Sequence, residues 1–213
     1  AEKAIRQFVT IGYDRPIQLI DGVQVTFRDA GHILGSAQVI LDIHEGERKY
    51  RYLFSGDVGR GNDEILRDPQ SVDGVDYLQV ESTYGAREHV SPHRADEEVL
   101  QLVRETVARN GKVIIPAFSV GRTQAIVYTL HRLIESKQLD PLPIFVDSPL
   151  STNATEVYRL HPECFNETIY KFLREKANPF GMANLTYIRE VAHSIKLNDL
   201  KGPAVIISAS GMA

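Results

Sequence analysis

The second half of the chain alternates short apolar segments with longer segments of helical periodicity. Apolar runs of strand length lie at residues 113–115, 143–146 and 204–207, with a further strand-like segment at 185–188. Segments with helical spacing lie between or before them, at residues 95–110, 122–136, 152–160 and 166–176. Continuous apolar runs are typical of strands buried on both faces of a sheet. Alternation with helices therefore predicts a parallel, doubly wound-like α/β sheet.

The first half of the chain has a different rhythm. Apolar and polar side chains alternate at residues 23–27 and 37–43, as they do in strands with one solvated face. A polar turn at residues 44–48 leads to a return strand at 50–54, and a short strand follows at 77–80. We therefore expect an antiparallel meander, followed after about residue 90 by the α/β part.

Composition excludes several classes of protein. The 213 residues carry 24 Lys and Arg against 28 Asp and Glu, a net charge of -4, which argues against a wholly basic nucleic-acid-binding surface but not against a local basic channel. No apolar stretch approaches the roughly 20 residues of a membrane span, so no membrane partner is expected. Cys164 is the single cysteine, which excludes an internal disulfide and a cysteine-based zinc site and favours a cytoplasmic location.

Three predicted strand ends in the first half run directly into a histidine or an acid. His32 follows Gly31, Asp57 follows Gly56, and Glu81 follows the strand at 77–80. Glycine permits a tight turn that can bring the next side chain out at a sheet edge. Imidazole and carboxylate both bind divalent metals, and two metals close together can promote phosphodiester hydrolysis.

Each of these residues also has an ordinary structural interpretation. A histidine after a strand is commonly structural, and aspartate in Ser-Gly-Asp is common turn chemistry. Glu81 could cap Tyr84 or pair with an arginine. The metal hypothesis therefore depends on all three residues occurring in order along the chain.

The motifs around these residues resemble those of the beta-CASP branch of the metallo-β-lactamase superfamily, which contains RNA-processing metallonucleases. Asp29-Ala-Gly-His32-Ile-Leu-Gly-Ser-Ala37 is similar to the third metal motif of that family, and Ser55-Gly-Asp57 to the fourth. Glu81-Ser-Thr-Tyr-Gly85 resembles the first beta-CASP motif. The similarity covers nearly the whole chain and includes Asp147-Ser-Pro-Leu150 and Ser208-Ala-Ser-Gly-Met212.

This resemblance implies both a fold and a chemistry. Residues 1–85 would form the C-terminal part of a metallo-β-lactamase domain, with a partial αββα-type sheet, and residues 86–213 a beta-CASP domain that is incomplete at its C-terminus. His32 would bind one of two zinc ions (Zn2+), Asp57 would bridge both, and Glu81 would orient a general-acid histidine. The implied activity is hydrolysis of RNA by a two-metal mechanism; RNA is the expected partner, and we allow for a homo-oligomer.

One element of the family pattern does not occur in this sequence. The main metal motif, His-x-His-x-Asp-His, is absent, because no two of the seven histidines lie two residues apart. One histidine and one aspartate fall short of the ligand set that zinc normally takes. We therefore expect the chain to be a piece of a longer enzyme and to be inactive by itself.

The second half offers candidate contacts to an RNA backbone. Ser119 and Arg122 lie where a buried strand runs into a helix, a position suited to an anion, and the Arg122 guanidinium can bind phosphate. The alternatives are that Ser119 caps the helix and Arg122 forms a salt bridge. Ser210 and Gly211 leave room for a sugar-phosphate chain at a strand end. The resemblance places His89 near the substrate cleft, although an exposed loop histidine without a substrate contact is the more ordinary interpretation.

Two other functions stay open at this point. The first is a metallo-β-lactamase-fold hydrolase of a small ester or thioester, which the α/β insertion after Glu81 disfavours. The second is a catalytically inactive RNA-binding or scaffold homologue that has lost metal ligands. The flanking sequence of the complete reading frame would separate these functions from a nuclease.

Overall fold

The computed structural model describes residues 2–86, 92–176 and 178–209. The chain divides into two compact units, Ala1–Gly85 and Ala86–Ala213. The first contains a five-stranded sheet and the second a four-stranded sheet. Helices occur together with parallel and antiparallel strands, which confirms the predicted α/β class.

A mixed sheet forms the first unit. Its elements are α1 (Glu2–Ile5), β1 (Ile17–Ile20), β2 (Val23–Asp29), β3 (Ala37–Glu45), β4 (Arg48–Phe54) and β5 (Tyr77–Gln79). The strands lie in the order β1-β2-β3-β4-β5. Of these, β1 was not indicated by the sequence pattern.

The strands β3 and β4 form a tight hairpin at the polar turn that the sequence predicts. Glu45 pairs with Arg48, so Gly46 and Glu47 make up the loop. Gly46 has a φ of 62°, in the left-handed region that two-residue hairpin turns use and that glycine adopts readily. The hairpin fixes the pairing register of β3 and β4, and β4 ends at Phe54.

The strand β5 departs from the predicted meander. Leu78 pairs with Leu53, and Tyr77 with Tyr52, in parallel register. The prediction of an all-antiparallel arrangement is therefore wrong at this strand. A parallel neighbour cannot be reached through a tight turn, and residues 55–76 form the long connection that it needs.

The two faces of the first sheet differ in how far they are covered. Ile40 and Leu53 are paired neighbours on one face, and they are buried, as are Ile65 and Leu66 of the connection between β4 and β5. The other face carries one buried apolar residue, Val25, among apolar side chains that are at least partly exposed. These partly exposed residues, called the open face below, are Val23, Phe27, Val39, Leu41, Ile43, Tyr50, Tyr52, Phe54 and Tyr77.

The second unit is a parallel sheet with helices. Its elements are α2 (Pro92–Ala108), β6 (Lys112–Pro116), α3 (Arg122–Glu135), β7 (Ile144–Asp147), α4 (Pro149–Leu160), α5 (Glu167–Lys176), β8 (Leu185–Ile188), α6 (Val191–Lys196) and β9 (Ala204–Ser208). Short 3₁₀ turns lie at Pro162–Cys164 and Leu197–Asp199.

All strand pairs of this second sheet are parallel, as the sequence predicts. The strands lie in the order β6-β9-β7-β8. All five residues of β9 are buried, which is what a strand covered on both faces requires. The helix α4 begins at Pro149, earlier than predicted, because the Ser148 hydroxyl accepts a hydrogen bond from Ser151 N–H at 3.1 Å and caps it.

The helix α6 was not predicted from the sequence.

In the part of the chain that the structure describes, no helix is both long enough and apolar enough to cross a membrane.

Candidate functional site

Three strands of the first sheet end at the same edge, and each is followed by one candidate residue. The strands β2 and β4 both pair antiparallel with β3, and β5 pairs parallel with β4. These three strands therefore run in the same direction, so their carboxyl ends meet at one edge. His32, Asp57 and Glu81 follow those ends, and the sheet topology brings them to one side of the unit.

The loop that carries His32 is closed by its own side chains. Ser36 Oγ accepts hydrogen bonds from His32 N–H at 3.0 Å and from Ile33 N–H at 3.3 Å. Ala30 N–H donates to Ser36 O at 3.2 Å, and Gly31 adopts a φ of 59° at the turn. The His32 side chain itself is exposed. The loop thus presents an imidazole to solvent from a fixed backbone.

The loop that carries Asp57 is joined to the His32 loop through Gly59. Gly59 N–H donates to Ala30 O at 2.8 Å. A Cβ atom on Gly59 would lie only 1.9 Å from Gly31 O, so no residue with a side chain fits there without moving one of the loops. Asp57 is exposed, as His32 is. Close backbone packing therefore fixes the spacing of the two candidate ligands.

Glu81 is tied to the Asp57 loop through both its backbone and its carboxylate. Oγ of buried Ser55 accepts a hydrogen bond from Glu81 N–H at 3.0 Å. The carboxylate accepts from Thr83 N–H at 3.0 Å and from Val58 N–H at 3.4 Å. Since Val58 directly follows Asp57, the two acidic residues belong to one hydrogen-bonded unit. The carboxylate is thus held by backbone N–H groups, not by the arginine considered from the sequence.

The same contacts set the charge of Glu81. Hydrogen bonds from Thr83, and then from Val58, lower the pKa of Glu81 because they stabilise the ionised carboxylate. Partial removal of solvent opposes this effect, and the nearby His32 adds to it. Glu81 is therefore an anion at neutral pH, which suits an acceptor that orients a donor partner.

The described residues do not make up a complete metal site. His32 and Asp57 offer an imidazole and a carboxylate, which are suitable donors for zinc. Across residues 2–86, 92–176 and 178–209, however, no group of three or more His, Cys, Asp or Glu side chains is placed to hold a metal ion. The described residues therefore offer donor types that zinc accepts but do not by themselves fit the ion.

Two candidate substrate contacts of the second unit lie where β6 leads into α3: Ser119 is on the connecting loop, and Arg122 is the first residue of α3. Buried Gln124 holds this loop, since its Oε1 accepts from Gly121 N–H at 2.7 Å and its Nε2 donates to Ser119 O at 3.1 Å. Ser119 is buried, with its hydroxyl 3.5 Å from Ser148 Oγ. The interpretation of Ser119 as the helix cap is wrong, because α3 begins directly after Gly121.

Arg122 is the more accessible of the two residues. Its side chain is exposed, and it forms no salt bridge within the described residues. The other candidate contacts, Ser210, Gly211 and His89, lie outside the described residues. Their contact with substrate stays a prediction.

Ser55 and Gly59 join the loops of the site and were not predicted to do so from the sequence. Both belong to the stretch Ser55-Gly-Asp57-Val-Gly59, where the prediction concerned the aspartate alone. The signal in the sequence was the second glycine of that stretch. Its partner Gly31 lies in another motif, so only the three-dimensional structure shows that the backbones touch.

Comparison with known proteins adds independent information. Residues 123–213 match the sequence model of the Beta-Casp domain. The chain is 32% identical to an RNase J-like protein of Methanocaldococcus jannaschii, over 99% of this chain and 48% of that protein. It is 31% identical to a ribonuclease of Thermus thermophilus, over 95% of this chain and 47% of the relative.

A third relative has a different name. The transcription termination factor FttA of Methanothermobacter thermautotrophicus is 29% identical, over 99% of this chain and 33% of that protein. The chain therefore spans about half the length of the first two relatives and a third of the last one.

Proposed function

The chain belongs to the beta-CASP family of the metallo-β-lactamase superfamily, and on that premise we propose that it is part of a ribonuclease that hydrolyses RNA phosphodiester bonds. The observation that carries the proposal is the convergence of His32, Asp57 and Glu81 at one sheet edge. Their loops are locked together by the bonds from Gly59 to Ala30 and from Val58 to Glu81. Two relatives named as an RNase J-like protein and a ribonuclease support the same activity.

We also propose that this activity depends on zinc. His32 and Asp57 would contribute to a two-zinc site whose other ligands lie outside this sequence, since the described residues alone do not complete one. Two zinc ions would supply Lewis-acid chemistry for a two-metal mechanism. We also propose a reducing, cytoplasmic setting, consistent with a single cysteine.

The residues of this chain would have distinct tasks in that reaction. His32 and Asp57 present exposed side chains from rigid loops, which keeps their spacing constant when substrate arrives. Glu81, held as an anion, would accept a hydrogen bond from a donor histidine and so orient it. Exposed Arg122 would hold a phosphate of the RNA backbone.

We also propose that the protein can associate with further copies of itself as a homo-oligomer.

The direct test is RNA cleavage by the complete protein encoded by this reading frame. We expect Asp57→Asn to abolish cleavage, because a neutral amide replaces the carboxylate at the centre of the site. Asp21→Asn is the matched control: Asp21 is an exposed residue between β1 and β2, and its substitution should leave cleavage unchanged. Full cleavage by Asp57→Asn would exclude the proposed role of this carboxylate.

An RNA-binding role without catalysis is the second candidate. It is favoured by one observation, the absence of a three-donor metal cluster among the described residues. A complete protein that binds RNA with micromolar or tighter affinity and cleaves none, with or without added zinc, would establish this scaffold function in place of the nuclease. Cleavage of a small ester but not of RNA would instead favour a small-substrate hydrolase.

A further inference from the structure

A buried carboxylate supports the His32 loop, and the mechanism above does not use it. The Asp29 side chain is 7% exposed. Its Oδ1 accepts a hydrogen bond from Gly31 N–H at 2.9 Å, and its Oδ2 lies 3.1 Å from Arg67 Nη2. Asp29 thus connects the residue directly before His32 to an arginine on another segment. A buried carboxylate of this kind is stable only when charge and hydrogen bonds compensate it.

Arg67 belongs to a short segment that encloses the end of β2. Gln70 pairs twice with Asp29: its backbone N–H donates to Asp29 O at 3.0 Å, and its Oε1 accepts from Asp29 N–H at 2.9 Å. A Cβ atom on Gly31 would come within 2.6 Å of Arg67 O and 2.8 Å of Pro69 N. Residues 67–70, called the clamp below, therefore hold both Asp29 and Gly31.

We propose that Arg67 is a positioning residue for His32 and acts through Asp29. The inference rests on the proposed function, because it assumes that the position of His32 matters for a reaction. Gly31 has a φ of 59°, and its N–H is fixed by Asp29. When Arg67 is removed, Asp29 loses its cation and draws in water or turns toward solvent. The peptide between Ala30 and Gly31 then keeps the bond from Gly59 N–H but loses a fixed acceptor for Gly31 N–H. It becomes more mobile, and His32 moves with it.

Arg51 provides a matched control on the same sheet. It forms an ion pair with Asp42 at 2.7 Å, and the two side chains are 37% and 27% exposed. Its other side-chain bond is to Asp73 O at 3.0 Å, which lies outside the clamp. Partly exposed pairs of this kind contribute little to stability. Arg51→Ala therefore removes an arginine and an ion pair of the same unit and leaves the clamp in place.

The first test is kinetic and uses the complete protein with a single-stranded RNA substrate. Arg67→Ala should lower kcat by about 10- to 100-fold, the usual effect of removing a residue that orients a site residue from behind. KM should stay nearly constant, because Arg67 does not contact RNA in this scheme. Arg67→Lys, which retains a cation, should recover most of kcat, and Arg51→Ala should leave both constants unchanged. A raised KM with unchanged kcat would show that Arg67 binds RNA directly, and would overturn the positioning role.

The second test does not depend on activity. Hydrogen exchange of the complete protein, followed by mass spectrometry, should show faster exchange in the peptide covering residues 29–36 of Arg67→Ala. The peptides covering β3 and β4 should exchange as in the unaltered protein. Unchanged exchange at residues 29–36 of Arg67→Ala would overturn the inference. A general loss of protection in Arg67→Lys would also overturn it, because such a loss would show that Arg67 serves overall folding.

A double substitution removes the concern that Arg67→Ala leaves an unpaired buried anion. If Asp29 and Arg67 act as one unit, Asp29→Asn combined with Arg67→Ala should have the same kcat as Arg67→Ala alone. If the losses in kcat caused by Asp29→Asn and Arg67→Ala instead multiply in the double variant, Arg67 acts independently of Asp29 and the inference fails.

A complete protein that cleaves no RNA overturns the proposed function and the reaction that Arg67 would serve. Normal cleavage by Arg67→Ala overturns the positioning role alone.

Discussion

The hydrogen bonds of a single residue, Glu81, determine how the site responds to acid. Because Thr83 and Val58 donate to the ionised carboxylate, the pKa of Glu81 lies below its ordinary value. Because the pKa is lowered in the folded state, these bonds contribute to folding stability at pH values above the ordinary pKa range of glutamate. That contribution is lost as the pH falls through the lowered pKa.

We expect a carbon-13 NMR titration of the Glu81 side-chain carboxyl to have its midpoint below that of an unstructured glutamate. Glu81→Gln provides the assignment, since it removes this signal and with it the associated acid sensitivity. A midpoint above the ordinary range would show that the bonds to Thr83 and Val58 do not form in solution.

Arg122 permits a prediction about binding. If its exposed guanidinium holds an RNA phosphate, Arg122→Ala should weaken RNA binding by the complete protein and lower the slope of log K against log salt by about 1. Arg109, an exposed arginine that follows α2, is the matched control. Fluorescence anisotropy at several salt concentrations measures both variants, and equal slopes for Arg122→Ala and the unaltered protein would contradict a phosphate contact.

At the scale of the elements, the contact between the His32 and Asp57 loops is the most constrained feature of the site. Gly59→Ala would place a Cβ atom 1.9 Å from Gly31 O, so the loops must separate. Overpacking of this kind typically costs about 1–3 kcal/mol, and we expect that loss in a urea unfolding experiment. Gly12→Ala is the control, because its Cβ would meet only Arg15 at 3.7 Å. Equal stability of the two variants would mean that the loops are not in contact.

The sequence identified the individual strands better than their arrangement. Local burial determines two patterns in the sequence: alternating side chains at residues 23–27 and 37–43, and continuous apolar runs at 113–115 and 204–207. These strands were therefore predicted correctly. Pairing direction depends on where a distant segment docks, and the parallel pairing of Tyr77 with Tyr52 was therefore missed. Arg67 was missed for a similar reason: it lies far along the chain from Asp29, and no local pattern connects an arginine in a loop to a buried carboxylate.

For the whole molecule, the open face has consequences for the behaviour of the 213-residue chain in solution. Phe54 is 42% and Tyr77 60% exposed, beside a row of partly exposed aliphatic side chains. Contiguous apolar surface of this kind favours association. We expect the chain by itself to bind the dye ANS and to form larger species as its concentration rises.

The test compares two lysine substitutions by gel filtration and ANS fluorescence. Tyr77→Lys should reduce dye binding and association, because it places a charge within the open face. Leu160→Lys, at the end of α4 and outside the open face, replaces a leucine that is 74% exposed and should change neither. A monomeric unaltered chain without dye fluorescence would show that the face does not drive association.

The parallel pairing of β5 also determines the order in which the first unit can assemble. The hairpin of β3 and β4 closes across two residues, whereas β5 must find β4 across residues 55–76. Loop closure costs more entropy as the loop lengthens, and long-range pairings form late in folding. Glu81 follows β5, and its anchors Ser55 and Val58 lie in the same connection. The three site residues therefore come together at the end of folding, so a nascent or partly folded chain holds all three without holding a site.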